Sequence, residues 1–177
     1  MKKSTLLLSL AGGVFVSIFM VFLVKYCDTQ HAITNMLITY TAMVIAFSVI
    51  FVAIKKERDK NGGVITFGKA FRIGLIITAI TSTIYVAVWL VDYYEFMPDF
   101  MDKYTAGIIQ QLKASHLSPQ VLKEKIDQAN RNKEWYGSFL GMTLEGYREI
   151  LPAGLIVSVI ASLVLKRGGG KEQVVAA

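Results

Sequence analysis

Few side chains in this 177-residue chain have the type and spacing to do chemistry, and one such group is Glu145, Arg148 and Glu149 beside Pro152. On a helix, Glu145 and Glu149 share a face and Arg148 lies within ion-pair reach of Glu145. Pro152 removes a backbone donor, leaving a carbonyl near Arg148 for a side chain, a water or a ligand. Two readings follow: a polar pocket, or a salt bridge at the membrane interface beside a proline kink, the plainer of the two. A second group, Thr78, Thr81, Ser82 and Thr83, is uncharged and surrounds the centre of an apolar run. Such hydroxyls line a polar path, bond the carbonyl four residues back, or bond across helices for about 0.6 to 2 kcal/mol. Against an ion-coupled transporter, no Asp, Glu, Lys, Arg or His falls near the middle of any apolar run, where such proteins usually keep one.

Cys27, Asp28 and His31 have ligand chemistry, and on a helix Cys27 and His31 would face one way. Three such residues at the end of a span are far commoner by chance than as a metal site. There is no His-Glu-x-x-His motif, no nucleophile elbow and no phosphate loop. No enzyme activity, cofactor or metal is therefore expected. A solitary cysteine gives no disulfide within one chain, and its setting, after Val24-Lys25-Tyr26, is not that of a lipoprotein.

The elements that must position these residues are membrane spans. The chain is 54% apolar and only 18% charged, with a mean hydropathy of +0.48, against about 25% charged residues in an ordinary soluble domain. Runs without a formal charge separate Lys3 from Lys25, His31 from Lys55, Arg72 from Asp92 and Glu149 from Lys166, with 21, 23, 19 and 16 residues. A spanning helix needs about 20. The fourth run is short, so its helix must begin earlier, around Gly141 to Glu145, which brings Arg148 and Glu149 to the membrane boundary. Spans are expected at about 4–24, 34–54, 71–91 and 144–165, with a flexible tail at 168–177. Lys2 and Lys3 before an apolar run, with Ala11-Gly12-Gly13 after it, also suit a signal peptide. The apolar stretch continues well past those small residues, which favours an uncleaved anchor.

Positive charge sets the orientation. Residues 1–3, 55–72 and 166–177 hold 11 of the 19 Lys and Arg on 33 positions, whereas residues 25–35 and 92–149 hold eight on 69. Both termini are therefore expected in the cytoplasm. The formal charge of +6 then reads as a basic cytoplasmic rim facing anionic lipid, at about 1 kcal/mol per well-placed Lys or Arg, and not as a nucleic-acid surface. Tyr26, Trp89, Tyr93 and Tyr94 close the first and third spans at their outer ends, the headgroup level that such side chains favour. Inside, Gly62-Gly63 marks a turn and Thr66 can cap the helix entering the third span.

About 50 residues between the third and fourth spans are too many for a simple loop. Met101, Tyr104, Ile108, Ile109 and Leu112 form one helical stripe; Val121, Leu122, Ile126 and Ala129 form another, after Ser118-Pro119. This predicts an amphipathic helical hairpin outside, over about 99–135, turning near His116 to Ser118. Its stripes could rest on each other, on lipid or on a partner. Small residues form ladders at four-residue spacing, Ser9, Gly13 and Ser17 on the first span and Gly154, Ser158 and Ser162 on the fourth. Because small faces allow close backbone approach, the first and fourth spans are expected to pair through them, with a homodimer through one ladder as the competitor.

The stretch Leu144-Glu145-Gly146-Tyr147-Arg148-Glu149-Ile150-Leu151-Pro152-Ala153-Gly154-Leu155-Ile156-Val157-Ser158, running on to Leu165-Lys166-Arg167, resembles the last helix of an uncharacterised bacterial family of small four-span membrane proteins, a domain-of-unknown-function family. Thr66-Phe67-Gly68-Lys69-Ala70-Phe71, Pro98-Asp99-Phe100 and the Lys-rich insert that follows are similar to it too. The resemblance implies four helices and an inner-membrane location, and brings no substrate, cofactor or catalytic residue. The sequence thus gives an all-α four-helix transmembrane bundle with an extracytoplasmic amphipathic hairpin between spans three and four. Its expected role is a non-enzymatic accessory or scaffold subunit that engages lipid or a protein partner. The alternative is a small transporter or channel subunit with a polar path along the third span.

Overall fold

The computed structural model describes residues 3–26 and 32–168, with side chains from 3–23 and 37–168. Seven α-helices account for nearly all of it: α1 (Lys3–Tyr26), α2 (Ala32–Phe47), α3 (Val49–Lys60), α4 (Phe67–Val91), α5 (Phe100–Ala114), α6 (Pro119–Gly137) and α7 (Phe139–Leu165). Four stretches are long and apolar enough to cross a bilayer: Lys3–Leu23, Leu37–Lys60, Phe67–Phe96 and Phe139–Leu165. The protein is a multi-pass membrane protein. Only 33–39% of the most apolar window of each span is buried, and Leu7, Ile18, Val44, Ile156 and Val164 are all more than half exposed. That apolar surface needs lipid around it.

The second span is two helices in line. At Ser48 the ladder tightens: Ser48 N donates to Ile45 O at 3.1 Å and Phe51 N to Ser48 O at 3.0 Å. The Ser48 hydroxyl bonds Ile45 O at 2.6 Å, a local back-bond that interrupts an otherwise continuous helix. The third span runs past α4 into a π-helical turn, Asp92–Phe96. The fourth begins at Phe139, two residues ahead of the stretch where the sequence required it to start, so Glu145, Arg148 and Glu149 all lie within the helix.

The chain divides into two compact units, Met1–Tyr85 with Glu149–Ala177, and Val86–Arg148. In the first, Met43, Phe47, Ile50, Ile54, Ile77 and Ile150 are fully buried. α3 ends on two glycines with positive φ, Gly62 at 67° and Gly63 at 84°, the left-handed conformation that only glycine adopts cheaply. The chain then enters α4 at Thr66, whose hydroxyl accepts from Lys69 N at 3.4 Å. Just before it, Ile65 and Arg167 exchange both backbone hydrogen bonds, at 3.0 and 2.9 Å. That isolated bridge ties the entry of the third span to the exit of the fourth. Nearby, Lys69 Nζ lies 3.1 Å from Glu57 Oε1.

In the second unit, Tyr93, Met101 and Met142 form a small core with Trp89, Leu90, Phe100 and Tyr136 packed against it. α5 and α6 are joined by residues 115–118 and pack on one another, with Met101, Thr105 and Ala129 buried. Ser118 occupies the position before α6 with Pro119 at the first helical position, as its sequence suggests. The Ser118 hydroxyl makes no capping bond; it is exposed and left to water.

Candidate functional site

The hydroxyl cluster of α4 is a packing seam. Thr78 Oγ1 and Ser158 Oγ lie 3.2 Å apart, and Thr81 Oγ1 donates to Ser9 O at 3.1 Å. Thr78, Thr81 and Ser82 are at most 1% exposed. Thr83 points outward and bonds back to Ala79 O at 2.8 Å. Ser9 bonds Thr5 O, while Ser158 and Ser162 bond Gly154 O and Ser158 O. The hydroxyls of Ser17 and Ser82 are buried with no hydrogen-bond partner among the described residues.

Both small-residue ladders meet α4, which corrects the expected direct match of one ladder on the other. A Cβ placed on Gly13 would come within 2.8 Å of Ile84 Cδ1, and one on Gly154 within 2.5 Å of Thr78 Cγ2. On the α7 side α4 carries a ladder of its own, while Gly13 and Ser9 of α1 meet Ile84 and Thr81. Gly74, Thr78 and Ser82 repeat at four-residue spacing on α4, and a Cβ on Gly74 would lie 2.7 Å from Ser158 Cβ. α4 presents small side chains to α1 on one side and to α7 on another, so it takes the central place that close approach favours.

Towards the other end of these helices, within the same unit, Tyr85 Oη donates to Glu149 Oε2 at 3.0 Å. Tyr85 is 3% exposed, whereas Glu149 is exposed. A buried phenol thus anchors a carboxylate at the surface of the bundle. Tyr85 was missed at the sequence level because nothing local links it to a residue 64 positions away. In the second unit, Arg148 Nη1 donates to Glu145 Oε1 at 2.8 Å, with Arg148 76% exposed. An ion pair so open to solvent contributes little to stability. Pro152 sits inside α7.

A second missed residue is Asp92, which in the sequence only marked the end of an apolar run. It opens the π-helical turn, is 4% exposed, and its Oδ2 has no hydrogen-bond partner among the described residues. Around the turn, the Trp89 ring lies 6.2 Å from Tyr93 and 6.0 Å from Phe100, and Trp89 Nε1 donates to Met142 Sδ at 3.0 Å. π turns inside helices concentrate at functional positions, and a buried carboxylate oxygen without a donor is costly.

In the second unit a groove of about 280 Å³ lies between α5 and α6. Its α5 wall is Met101, Tyr104, Thr105, Ile108 and Leu112. Its α6 wall is Lys125, Gln128, Ala129, Asn132, Lys133 and Tyr136. One wall is therefore apolar and aromatic, the other rich in amides and lysines. Lys133 is ion-paired with Asp102 of α5. Lys125 makes no ion pair among the described residues.

Across residues 4–167 the chain matches a family model described as a protein of unknown function, DUF4199. The chain belongs to the DUF4199 family. No curated protein and no solved structure matches it. This DUF4199 protein shares with the sequence-level resemblance four long apolar helices and a family without an assigned role. Among its described residues no group of three His, Cys, Asp or Glu side chains could hold a metal ion. Cys27, Asp28 and His31 lie outside those residues.

Proposed function

We propose that this DUF4199 protein is a non-catalytic accessory subunit of the bacterial inner membrane, in which four spans anchor an extracytoplasmic hairpin, α5 and α6, that does the binding. The observation that carries the reading is the groove between those helices. The insert keeps a recess with one apolar and one polar wall, where two helices packed only for stability would close. The hydroxyls of the third span support the same reading: Thr78 and Thr81 are engaged with neighbouring helices, which weighs against a polar path.

The topology rests on charge asymmetry. The bridge between Ile65 and Arg167 supports it, since a loop after an even-numbered span and the tail after the fourth must share one side. Lys55, Lys56, Arg58, Lys60, Lys69, Arg72, Lys166 and Arg167 fall in these two segments and would meet anionic headgroups.

The test is co-purification from native membranes of the full chain and of a chain lacking residues 101–133, with membrane insertion of both verified by protease protection. Loss of specific proteins or lipids from the shortened chain is expected. An unchanged set overturns the proposal.

A further inference from the structure

The segment 92–149 carries nine acidic and seven basic residues, yet the groove it encloses is lined by two lysines and no carboxylate. Local charge is thus the reverse of its surroundings. Lys133 is neutralised by Asp102. Lys125 makes no ion pair among the described residues, so the groove has one positive end without a carboxylate on it. The ion pair joining Asp102 to Lys133, with the turn at 115–118, sets α5 and α6 antiparallel. Lys125 therefore lies towards the turn, beside Leu112, and the apolar wall of Ile108 and Met101 leads away from it. At about 30 Å³ for each water-sized group, 280 Å³ admits on the order of ten heavy atoms. That suits one short chain.

From this we infer that the α5–α6 groove binds a single-chain anionic amphiphile of the fatty-acid class, its carboxylate on Lys125 and its chain along Leu112, Ile108 and Met101. Gln128, less than one turn along α6 from Lys125, is within reach of the head, while Asn132 and Tyr136 line the polar wall further along the chain and keep the groove hydrated when it is empty. A charged end and an apolar wall together select against both a neutral alcohol and a cationic amphiphile of the same length. The inference rests on the reading of α5 and α6 as the binding element and gives that element a ligand class.

The experiment uses the full chain in nanodiscs and radiolabelled decanoate, with specific binding defined as the part displaced by excess unlabelled decanoate. Saturable binding is expected, at least tenfold tighter than competition by decanol or decyltrimethylammonium. Lys125→Glu should weaken it at least tenfold. Lys125→Met, which keeps the stem and loses the charge, should bring decanoate and decanol to within about threefold of each other. Ile108→Trp should abolish binding by filling the groove while helicity and melting stay as in the parent. Equal affinity for the cationic amphiphile, no saturable binding, or full affinity in Lys125→Glu overturns the inference. Lysophosphatidylglycerol binding tenfold tighter than decanoate also overturns it, by assigning the head to a phosphodiester. If decanoate fails to bind while deletion of residues 101–133 still removes partners, this inference falls alone; if the deletion changes nothing, the reading beneath it falls too.

Discussion

Replacing Gly154 by alanine tests the packing of α7 on α4 directly. The added Cβ would lie 2.5 Å from Thr78 Cγ2 and 2.8 Å from both Thr78 Oγ1 and Phe47 Cζ. Ordinary van der Waals contact begins near 3.4 Å, so the neighbours or the helix must retreat by almost an ångström. Thr78 is β-branched and stiff, with its hydroxyl 3.2 Å from Ser158 Oγ, and Phe47 is fully buried. Overpacking of this kind costs about 1–3 kcal/mol. Removing a glycine from a helix interior offsets roughly 0.5–1 kcal/mol of that. The net expectation is a loss of about 1–2 kcal/mol, read as a fall in melting temperature of roughly 2–8 °C for a chain of this size. Thr78→Ala removes two of the three nearest atoms at the expense of one interhelical hydrogen bond, worth about 0.6–2 kcal/mol. In that background Gly154→Ala should cost less than half as much, a positive coupling in the double-mutant cycle. The assay is thermal unfolding of the purified protein in a single detergent, followed by circular dichroism. An unchanged or raised melting temperature for Gly154→Ala, with no coupling to Thr78, would refute the close approach of these helices.

Asp92→Asn should leave stability unchanged or raise it, because an amide is cheaper to bury than a carboxylate with an unpartnered oxygen; a fall of more than about 1 kcal/mol in denaturant unfolding would show that the carboxylate has a partner. Tyr85→Phe should destabilise by about 1 kcal/mol, and Glu149→Gln by less, since the amide oxygen still accepts from Tyr85; equal losses from both would place the importance of Glu149 elsewhere. Single cysteines at Thr78, Thr81 and Ser82 should resist water-soluble thiol reagents from both sides of the membrane. Labelling of any two would favour a water-filled path over the packing seam. A cysteine pair at Gly74 and Ser158 should crosslink within one chain, while a pair at Gly13 and Ser158 should not; the reverse pattern on denaturing gels would restore direct pairing of the two outer ladders.

The spans were legible because the bilayer imposes a length and forbids charge, and both are properties of a contiguous stretch. The four uncharged runs and the need to begin the last helix early needed nothing beyond counting. Neighbour relations are another matter. The ladders of Ser9, Gly13 and Ser17 and of Gly154, Ser158 and Ser162 marked faces, and a face says only that something small or close lies opposite. Gly74, Thr78 and Ser82 have the same spacing, but Thr78 and Ser82 were grouped with Thr81 and Thr83 as a central hydroxyl cluster. Grouping by chemistry hid the periodicity of the face that α4 turns to α7.

The same distinction separates what was readable at the candidate site. The pair Glu145 and Arg148 follows from helix geometry over three residues, and it is also the most solvent-exposed and least consequential contact there. The bond between Tyr85 and Glu149 joins two spans, and Asp92 became noticeable only through its burial. The groove shows how far a stripe can mislead. Of the α6 stripe of Val121, Leu122, Ile126 and Ala129, Ala129 alone lines the groove, and it stands there among Lys125, Gln128 and Asn132. An apolar stripe marks where a helix seeks burial; a recess opens beside that seam, where polar side chains meet an apolar wall across a gap. If the insert is the binding element, recognition is expected on the flank of its amphipathic face, where Lys125 makes no ion pair among the described residues.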